Sequence, residues 1–383
     1  MTSAVDASAS GAAMMAHWQE AGVPCSARWR SEAGLMPPAR MLPVDDSLSA
    51  DAAYKLACEG TTLLWRGDYH NARQLLQALA RRVDRKRARA GATPLESFHL
   101  HRQAQGRRAN ILSKLVLPLD ADYRVPLRRA PDVSAACFEA YGASGGASLV
   151  SLRELQGLIG AHQWRSKGVM VKALSAAIHP HYGVFAPIRG EYVDLVAEAP
   201  LPATTLAFDI GTGSGVLAAV LARRGVARVV ATDQDPRALA CAGENLARLG
   251  LAQQVTLLEG DLFPAGQAPL IVCNPPWLPA KPASAIEYAV YDPDSRMLRG
   301  FLDGLAEHLA PGGEGWLIIS DLAEHLGLRS RETLLEWIAA ANLRVLGRLD
   351  VKPTHKKALA SGDTLAAARA AEVTSLWRLG VAG

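Results

Sequence analysis

Paired cysteines, long apolar runs and a large excess of charge of either sign are missing from this 383-residue chain. The spacing of its five cysteines does not suit a zinc site, and their odd number does not suit a disulfide framework. They are Cys25, Cys58, Cys137, Cys241 and Cys273. No stretch approaches the roughly 18 apolar residues of a membrane span, and no basic, then apolar, leader opens the chain. We therefore expect a cytoplasmic protein with reduced cysteines, no membrane contact and no bound metal.

The composition and the patterning of the sequence indicate a globular protein of more than one domain. Hydrophobic residues make up 49% and charged residues 20% of the chain, which is ordinary usage for a soluble core. We expect a flexible arm over residues 1–47, because it is rich in Ala, Ser, Gly and Pro. Apolar residues at helical spacing predict a helical domain over 48–147. A Gly-rich linker at 142–146 then leads to a third region, 148–383.

The predicted helical domain carries a basic stretch from Arg81 to Arg129. Clustered Lys and Arg can bind a nucleic acid by releasing its counterions, so this stretch is a candidate RNA-binding face. A solvated helix surface explains the charges equally well, since no aromatic residues are interleaved for base stacking. The net charge of +4 does not decide between the two.

Region 148–383 has the pattern of a doubly wound α/β fold. Uninterrupted apolar runs, such as 206–210, 229–232 and 270–273, alternate with amphipathic helical segments. Such runs are typical of parallel strands that are buried on both faces. The sequence therefore predicts a Rossmann-like sheet in this region.

A glycine loop follows the first of these runs. Asp209 precedes Gly211, Thr212, Gly213 and Gly215, and the loop opens a predicted helix. Glycines at such a turn let the backbone approach a nucleotide-like cofactor. The spacing is G-x-G-x-G and not the dinucleotide pattern G-x-G-x-x-G, which disfavours a dehydrogenase.

Two acids end the next strands. Asp233 lies about twenty residues beyond the loop, where a carboxylate can accept both ribose hydroxyls. Asp261, followed by Leu262, ends the third strand and could accept a hydrogen bond from an adenine amine. These residues complete the predicted cofactor site.

The fourth strand runs into Asn274, Pro275, Pro276 and Trp277. The prolines fix the backbone and lack N–H groups. The Asn274 side-chain oxygen and the Pro275 carbonyl could accept both hydrogens of an NH₂ group, while Trp277 stacks on its planar face. This motif predicts an acceptor site for a planar nitrogen.

In this order, the glycine loop, the two acids and the Asn-Pro-Pro-Trp motif resemble the small-domain class I S-adenosylmethionine-dependent methyltransferases. The resemblance covers about Phe185–Leu379. It implies a seven-stranded sheet with an antiparallel last strand and S-adenosylmethionine as the cofactor. It also implies methylation of an exocyclic amine in RNA or DNA, or of a glutamine amide in a protein.

Two further segments bear on the acceptor. The segment around Tyr291 and Asp292 is similar to one in release-factor glutamine methyltransferases, which usually carry Glu at the second of these positions and Tyr in place of Trp277. The segment Phe185–Glu191 partly matches another one that lies beside the cofactor in that family. Because the chain has the basic stretch and Trp277, we predict a base amine in RNA as the acceptor. A protein glutamine, a small molecule, or a non-catalytic RNA-binding role are the alternatives.

Overall fold

The computed structural model describes residues 14–85, 89–282, 287, 290–353 and 364–382. The chain divides into two compact units, and each unit draws on two stretches of sequence. Unit 1 comprises Met1–Lys86 and Gln105–Gly160, and unit 2 comprises Arg87–Ala104 and Ala161–Gly383. Among the described residues, no helix is both long enough and apolar enough to cross a bilayer.

Within the described ranges, unit 1 contains a six-stranded mixed sheet in the order β1-β2-β6-β5-β4-β3. Its strands are β1 (Met15–Glu20), β2 (Val23–Arg30), β3 (Met41–Val44), β4 (Thr62–Trp65), β5 (Leu115–Leu119) and β6 (Ser148–Ser151). The first five helices in the described part of the chain are α1 (Ala50–Cys58), α2 (Tyr69–Asp84), α3 (Pro94–Leu112), α4 (Ser134–Tyr141) and α5 (Leu152–Lys167). Helices α3 and α5 each contribute residues to both units.

The expectation of a flexible arm over 1–47 is wrong for the described part of that segment. β1 and β2 form an antiparallel hairpin, and β3 pairs in parallel with β4. On one face of the hairpin, Ala16 and Trp29 are buried and Trp18 and Ala27 are partly buried, and these side chains pack with Leu64, Val116 and Leu149. Period-two burial of this kind stabilises strands whatever the local content of Ala and Ser. Residues 1–13 lie outside the described part.

The expectation of a helical domain over 48–147 is also wrong. The runs Leu63–Trp65 and Leu115–Leu119 are buried strands of the sheet, although the first run also fits a helical spacing. Unit 1 extends through β6 to Gly160, beyond the predicted boundary at residue 147. Short apolar runs do not distinguish a buried strand from a helix, which explains the error.

Unit 2 has the predicted alternation of strands and helices. After the parts of α3 and α5 that belong to it, unit 2 continues with the hairpin β7 (Val169–Val171) and β8 (Ala176–Ile178). In chain order there follow α6 (Glu191–Glu198), β9 (Leu206–Ile210), α7 (Val216–Arg223), β10 (Arg228–Asp233), α8 (Pro236–Arg248), β11 (Val255–Glu259), β12 (Ala268–Cys273), α9 (Arg296–His308), β13 (Leu309–Ser320), α10 (Leu322–His325), α11 (Arg331–Ala340), β14 (Leu343–Val351), α12 (Ala366–Ala371) and β15 (Thr374–Val381).

The sheet of unit 2 confirms the Rossmann-like prediction. Within the described residues it has seven strands in the order β11-β10-β9-β12-β13-β15-β14. β15 runs antiparallel to both of its neighbours, as the resemblance implied, and the neighbouring pairs from β11 to β13 are parallel. One hydrophobic core lies on each face of this sheet. The sheet therefore fixes the strand ends that carry the predicted site.

Candidate active site

The central strands of unit 2 end in register at one edge of the sheet. Ile210 of β9 pairs with Thr232 of β10 on one side and with Cys273 of β12 on the other. The glycine loop, Asp233 and Asn274 follow these three residues directly. Parallel pairing therefore brings the predicted cofactor and acceptor segments to the same edge, where ligands of open α/β sheets bind.

The three loop glycines have backbone conformations that disfavour other residues. Their φ angles are +70° at Gly211, +56° at Gly213 and +79° at Gly215. A Cβ atom on Gly211 would overlap the methyl group of Met297, and one on Gly215 would lie 3.0 Å from Cβ of Ala242. A Cβ atom on Gly213 would meet nothing within 4 Å. The loop therefore packs closely at both ends and is open in the middle.

Asp209 lies beneath the loop and is almost completely buried. Its Oδ2 atom accepts hydrogen bonds from the Thr212 hydroxyl at 2.7 Å and from the Ala218 amide at 3.0 Å. Its Oδ1 atom is buried and has no hydrogen-bond partner among the described residues. Burial raises the pKa of this carboxyl group to about 6. One carboxylate oxygen thus organises the loop, while the other is left unsatisfied.

Asp233 binds the same loop from the neighbouring strand. Its Oδ2 atom accepts the Gly213 amide at 2.9 Å, and its Oδ1 atom accepts the Asp235 amide at 3.0 Å. Burial raises the pKa of Asp233, and these backbone hydrogen bonds oppose that rise. Each oxygen keeps a lone pair for a further donor.

Asp261 and Leu262 lie beyond the end of the third strand, as predicted, and an unforeseen residue meets them. Arg296 donates to Asp261 at 2.6 Å in an exposed ion pair. The Leu262 carbonyl accepts the Thr232 hydroxyl at 2.5 Å, and Leu262 has a φ of +73°. No motif in the sequence indicated Arg296.

The Asn-Pro-Pro-Trp loop is held by an internal hydrogen bond. The indole Nε1–H of Trp277 donates to the side-chain oxygen of Asn274 at 2.9 Å. The Trp277 ring is half-buried and packs against both cores of unit 2. Pro275 is buried and Pro276 is half-buried. The Asn274 oxygen retains a second lone pair, because an amide oxygen accepts two hydrogen bonds.

Asp292 connects this loop to helix α9. Its two oxygens accept the Met297 amide at 3.0 Å and the Leu298 amide at 3.1 Å, while its own amide donates to the Leu278 carbonyl at 2.8 Å. An isolated β-bridge joins Leu278 to Tyr291. Because Met297 also lies against Gly211, a continuous set of contacts links the acceptor loop with the glycine loop. The sequence motifs did not point to Met297.

The segment Phe185–Glu191 is anchored near the end of β13. Arg189 donates to both oxygens of Glu372, at 3.4 and 3.3 Å. Glu372 is buried and also accepts the Ser320 hydroxyl at 2.8 Å. Ser320 is the last residue of β13, so the ion pair holds this segment at an end of the sheet.

Much of the charge in the basic stretch is paired with acidic residues of this chain. Six of its arginines form ion pairs with acids of the described chain. The pairs are Arg82–Asp51, Arg102–Glu287, Arg108–Asp84, Arg124–Asp122, Arg128–Asp68 and Arg129–Asp68. Lys86 and Arg87 lie outside the described residues. The charge offered to a polyanion is therefore smaller than the residue count suggests.

Within the described ranges, no group of three or more His, Cys, Asp or Glu side chains is arranged to hold a metal ion. The residues around the glycine loop instead suit a nucleoside cofactor. They combine an open backbone turn at Gly213, an unsatisfied buried oxygen on Asp209 and free lone pairs on Asp233. This donor and acceptor set fits S-adenosylmethionine.

The known proteins that are similar to this chain include methyltransferases of proteins and of tRNA. The family model described as Ribosomal protein L11 methyltransferase (PrmA) matches residues 196–275. A release factor glutamine methyltransferase from Gloeobacter violaceus is 33% identical over 175 residues, which are 42% of this chain and 59% of that protein. A tRNA1(Val) (adenine(37)-N6)-methyltransferase from Shewanella loihica is 29% identical over 183 residues, which are 45% of this chain and 72% of that protein.

Among solved structures, a ribosomal protein L11 methylase from Lactobacillus delbrueckii subsp. bulgaricus aligns with a TM-score of 0.38 and 19% identity. That alignment covers 55% of this chain and 87% of the other. The chain spans 59% and 51% of the length of two of the release factor methyltransferases that it matches. In its sheet order, its glycine loop and its sequence relatives, the chain is similar to the class I S-adenosylmethionine-dependent methyltransferases.

Proposed function

We propose that this protein transfers a methyl group from S-adenosylmethionine to the nitrogen of a planar NH₂ group. The observation that carries the proposal is the position of Asn274. Its amide oxygen lies just beyond β12, whose last residue pairs with the residue that precedes the glycine loop. A hydrogen-bond acceptor for an NH₂ group and a cofactor loop are thus neighbours at one sheet edge.

Residues of β9 and β10 would hold the cofactor. The free lone pairs of Asp233 suit ribose hydroxyls, and the unsatisfied Oδ1 of Asp209 suits a cationic amino group. Gly211, Gly213 and Gly215 allow the backbone to approach the ligand, and Thr212 keeps the Asp209 carboxylate in place. When bound, S-adenosylmethionine supplies a methyl group that its sulfonium already activates.

The acceptor loop would orient the nitrogen. Asn274 and the Pro275 carbonyl accept the two N–H hydrogens, and this directs the nitrogen lone pair out of the loop. The hydrogen bond from Trp277 fixes the orientation of the Asn274 amide and leaves its oxygen one lone pair for the acceptor. Alignment supplies most of the acceleration, and no strong base is required. Asp292 is buried, and its two oxygens bind amides of the first turn of α9, so we assign it to holding this helix beside the acceptor loop.

For the acceptor, we propose an exocyclic base amine in RNA. Support comes from the stacking surface of Trp277 and from the tRNA adenine methyltransferase relative. Five basic residues of the stretch make no ion pair with any described acid and remain for phosphate contacts. They are Arg81, Arg85, Arg89, Arg107 and Lys114.

A protein glutamine amide is the second candidate. The release factor methyltransferase relatives favour it. So does the ion pairing of six arginines, because a paired arginine contributes less to the field that attracts a polyanion. Asn274 and Pro275 present the same acceptors to both kinds of NH₂ group.

A labelling experiment with the full chain tests the proposal. Methyl-tritiated S-adenosylmethionine is incubated with a cell lysate and either the wild type, Asn274→Ala or Asn110→Ala. Asn110 is an exposed residue of α3 and serves as the control. We expect label with the wild type and the control, at least a hundredfold less with Asn274→Ala, and unchanged cofactor affinity. Label equal in all three proteins contradicts the role of Asn274.

The same samples identify the acceptor. Loss of the label on nuclease treatment supports RNA, and loss only on protease treatment supports a glutamine side chain. Label that passes a small-pore filter without either treatment contradicts both acceptors and indicates a small molecule.

A further inference from the structure

Unit 1 contains a buried arginine whose donors are unsatisfied. Arg30 is the last residue of β2 and only 7% exposed. Its Nε and Nη2 atoms are sealed from solvent and make no hydrogen bond to any described residue. A buried cation without hydrogen-bond acceptors is strongly disfavoured, so this arrangement calls for a partner.

Two tyrosine rings flank the guanidinium group of Arg30 but do not accept hydrogen bonds from its Nε and Nη2 atoms. Its central carbon lies 5.3 Å from the ring centre of Tyr123 and 5.1 Å from that of Tyr141. Cation–π contacts of this kind stabilise the charge through the ring faces. They do not accept the in-plane N–H groups at Nε and Nη2.

The buried carboxylate of this region is engaged elsewhere. Glu154 accepts the Tyr141 hydroxyl at 2.6 Å and the Glu32 amide at 3.0 Å through one oxygen. Burial raises the pKa of Glu154, which weakens it as a counterion. Arg30 therefore lacks an acid bound to its free edge.

Other arginines of this chain show what that edge binds. The Nε and Nη2 atoms of Arg66 donate to the two oxygens of Glu20, at 3.0 and 2.6 Å. Arg108 binds Asp84 through the same two atoms, at 2.8 and 3.3 Å. This edge holds an oxyanion by two parallel hydrogen bonds. In Arg30 the same pair of donors is buried and makes no hydrogen bond within the described ranges.

A serine on the adjacent strand supplies a third hydrogen-bonding group beside the two donors of Arg30. β2 and β6 are parallel, and Ser148 pairs with Arg28, two residues before Arg30. Because side chains alternate along a strand, Ser148 lies on the same face of the sheet as Arg30. Its hydroxyl is buried and has no partner among the described residues.

We propose that unit 1 binds an oxyanion, the phosphate or carboxylate group of a ligand, through Nε and Nη2 of Arg30 and the hydroxyl of Ser148. The exposed loop 142–147 adjoins the site, since the Tyr123 hydroxyl donates to the Gly142 carbonyl at 3.1 Å. This loop must shift for the anion to enter, because the two donors are sealed. The inference is independent of the methyl transfer proposed for unit 2.

Anion-dependent thermal stability of the full chain tests the site. Melting temperatures are measured in sodium chloride, sodium phosphate and sodium acetate at equal ionic strength, for the wild type, Arg30→Met and Arg66→Met. Arg66 is the control, because its edge already holds Glu20. We expect phosphate or acetate to raise the melting temperature of the wild type and of Arg66→Met, and not that of Arg30→Met. The more effective salt distinguishes a phosphate from a carboxylate ligand.

A calorimetric titration covers the case in which Arg30→Met does not fold. Inorganic phosphate and acetate are titrated into the wild type and Arg30→Lys, which keeps the charge and loses the two-donor edge. We expect Arg30→Lys to bind the anion at least about tenfold more weakly than the wild type does. An equal anion response in wild type and Arg30 variants, or no anion response in the wild type, overturns the proposal.

Discussion

At the scale of single residues, Asp209 combines a structural bond with an unsatisfied charge. One oxygen fixes Thr212 and the start of α7, and the other is buried and has no hydrogen-bond partner in the part of the chain that the structure describes. An ionised carboxylate in this position is disfavoured by burial, which is why its pKa rises to about 6 from 3.8. Burial of the ionised form of Asp209 therefore destabilises the folded protein.

The pH dependence of the free energy of unfolding should show this destabilisation by Asp209. The folded state binds the Asp209 proton more tightly than the unfolded state, so the free energy of unfolding falls as the pH rises from about 4 to about 6. Since each pKa unit corresponds to about 1.4 kcal/mol, the change attributable to Asp209 is on the order of 3 kcal/mol. Asp209→Asn removes this pH-dependent contribution. In urea unfolding, the free energy of unfolding of the variant should therefore rise relative to that of the wild type between pH 4.5 and pH 7. A constant difference between the two proteins across this range contradicts the raised pKa.

The residues of the candidate site were mostly readable from the sequence. Glycines, an acid after a strand and the Asn-Pro-Pro-Trp motif have local signatures, and the structure brings them to one sheet edge. Arg296 and Met297 have no such signature. They reach the site because Asp292 starts helix α9 beside the acceptor loop, and that placement depends on tertiary contacts.

At the scale of elements, the glycine loop admits a matched pair of substitutions. Gly213 and Gly250 both have positive φ angles and free space where a Cβ would lie, but only Gly213 is in the site. Gly213→Ala and Gly250→Ala should each lose about 1–2 kcal/mol of unfolding free energy from backbone strain. Only Gly213→Ala should also bind S-adenosylmethionine more weakly, by roughly tenfold or more. Equal affinities in the two variants, measured by calorimetry, place the cofactor elsewhere.

The start of α9 is a second element whose stability can be tested. Asp292 binds two amides of its first turn, and such a charged cap is worth about 2 kcal/mol. Asp292→Ala should lower the free energy of unfolding by that amount. Asp303→Ala, an exposed position on the same helix, should change it by less than about 0.5 kcal/mol. Similar losses in urea unfolding of both variants would rule out the capping role.

Element prediction succeeded in unit 2 and failed in unit 1 for a physical reason. The strands β9, β10 and β12 are apolar runs between clear helices, so their type follows from the pattern. In unit 1 the run Leu63–Trp65 also fits the spacing of a helix. The β1–β2 hairpin is stabilised by packing against Leu64, Val116 and Leu149, which lie far from it in the sequence. Packing of a hairpin against residues that are distant in sequence leaves no local signal.

At the scale of the whole molecule, two α/β units share one chain, and their sequences differ in one decisive respect. The pattern G-x-G-x-G occurs once, at residues 211–215 of unit 2. In unit 1, β4 leads into α2 through Arg66, Gly67 and Asp68 instead. We therefore predict one S-adenosylmethionine site per chain, with unit 1 serving acceptor recognition or the separate oxyanion site at Arg30.

The most direct test of the central claim is a calorimetric titration of S-adenosylmethionine into the full chain and into Asn274→Ala. The account predicts saturable binding to both proteins with a stoichiometry of one, because Asn274 serves the acceptor and the glycine loop serves the cofactor. Absence of binding to the wild type would contradict the assignment of unit 2 as a methyltransferase, and a stoichiometry of two would contradict the restriction of the site to unit 2.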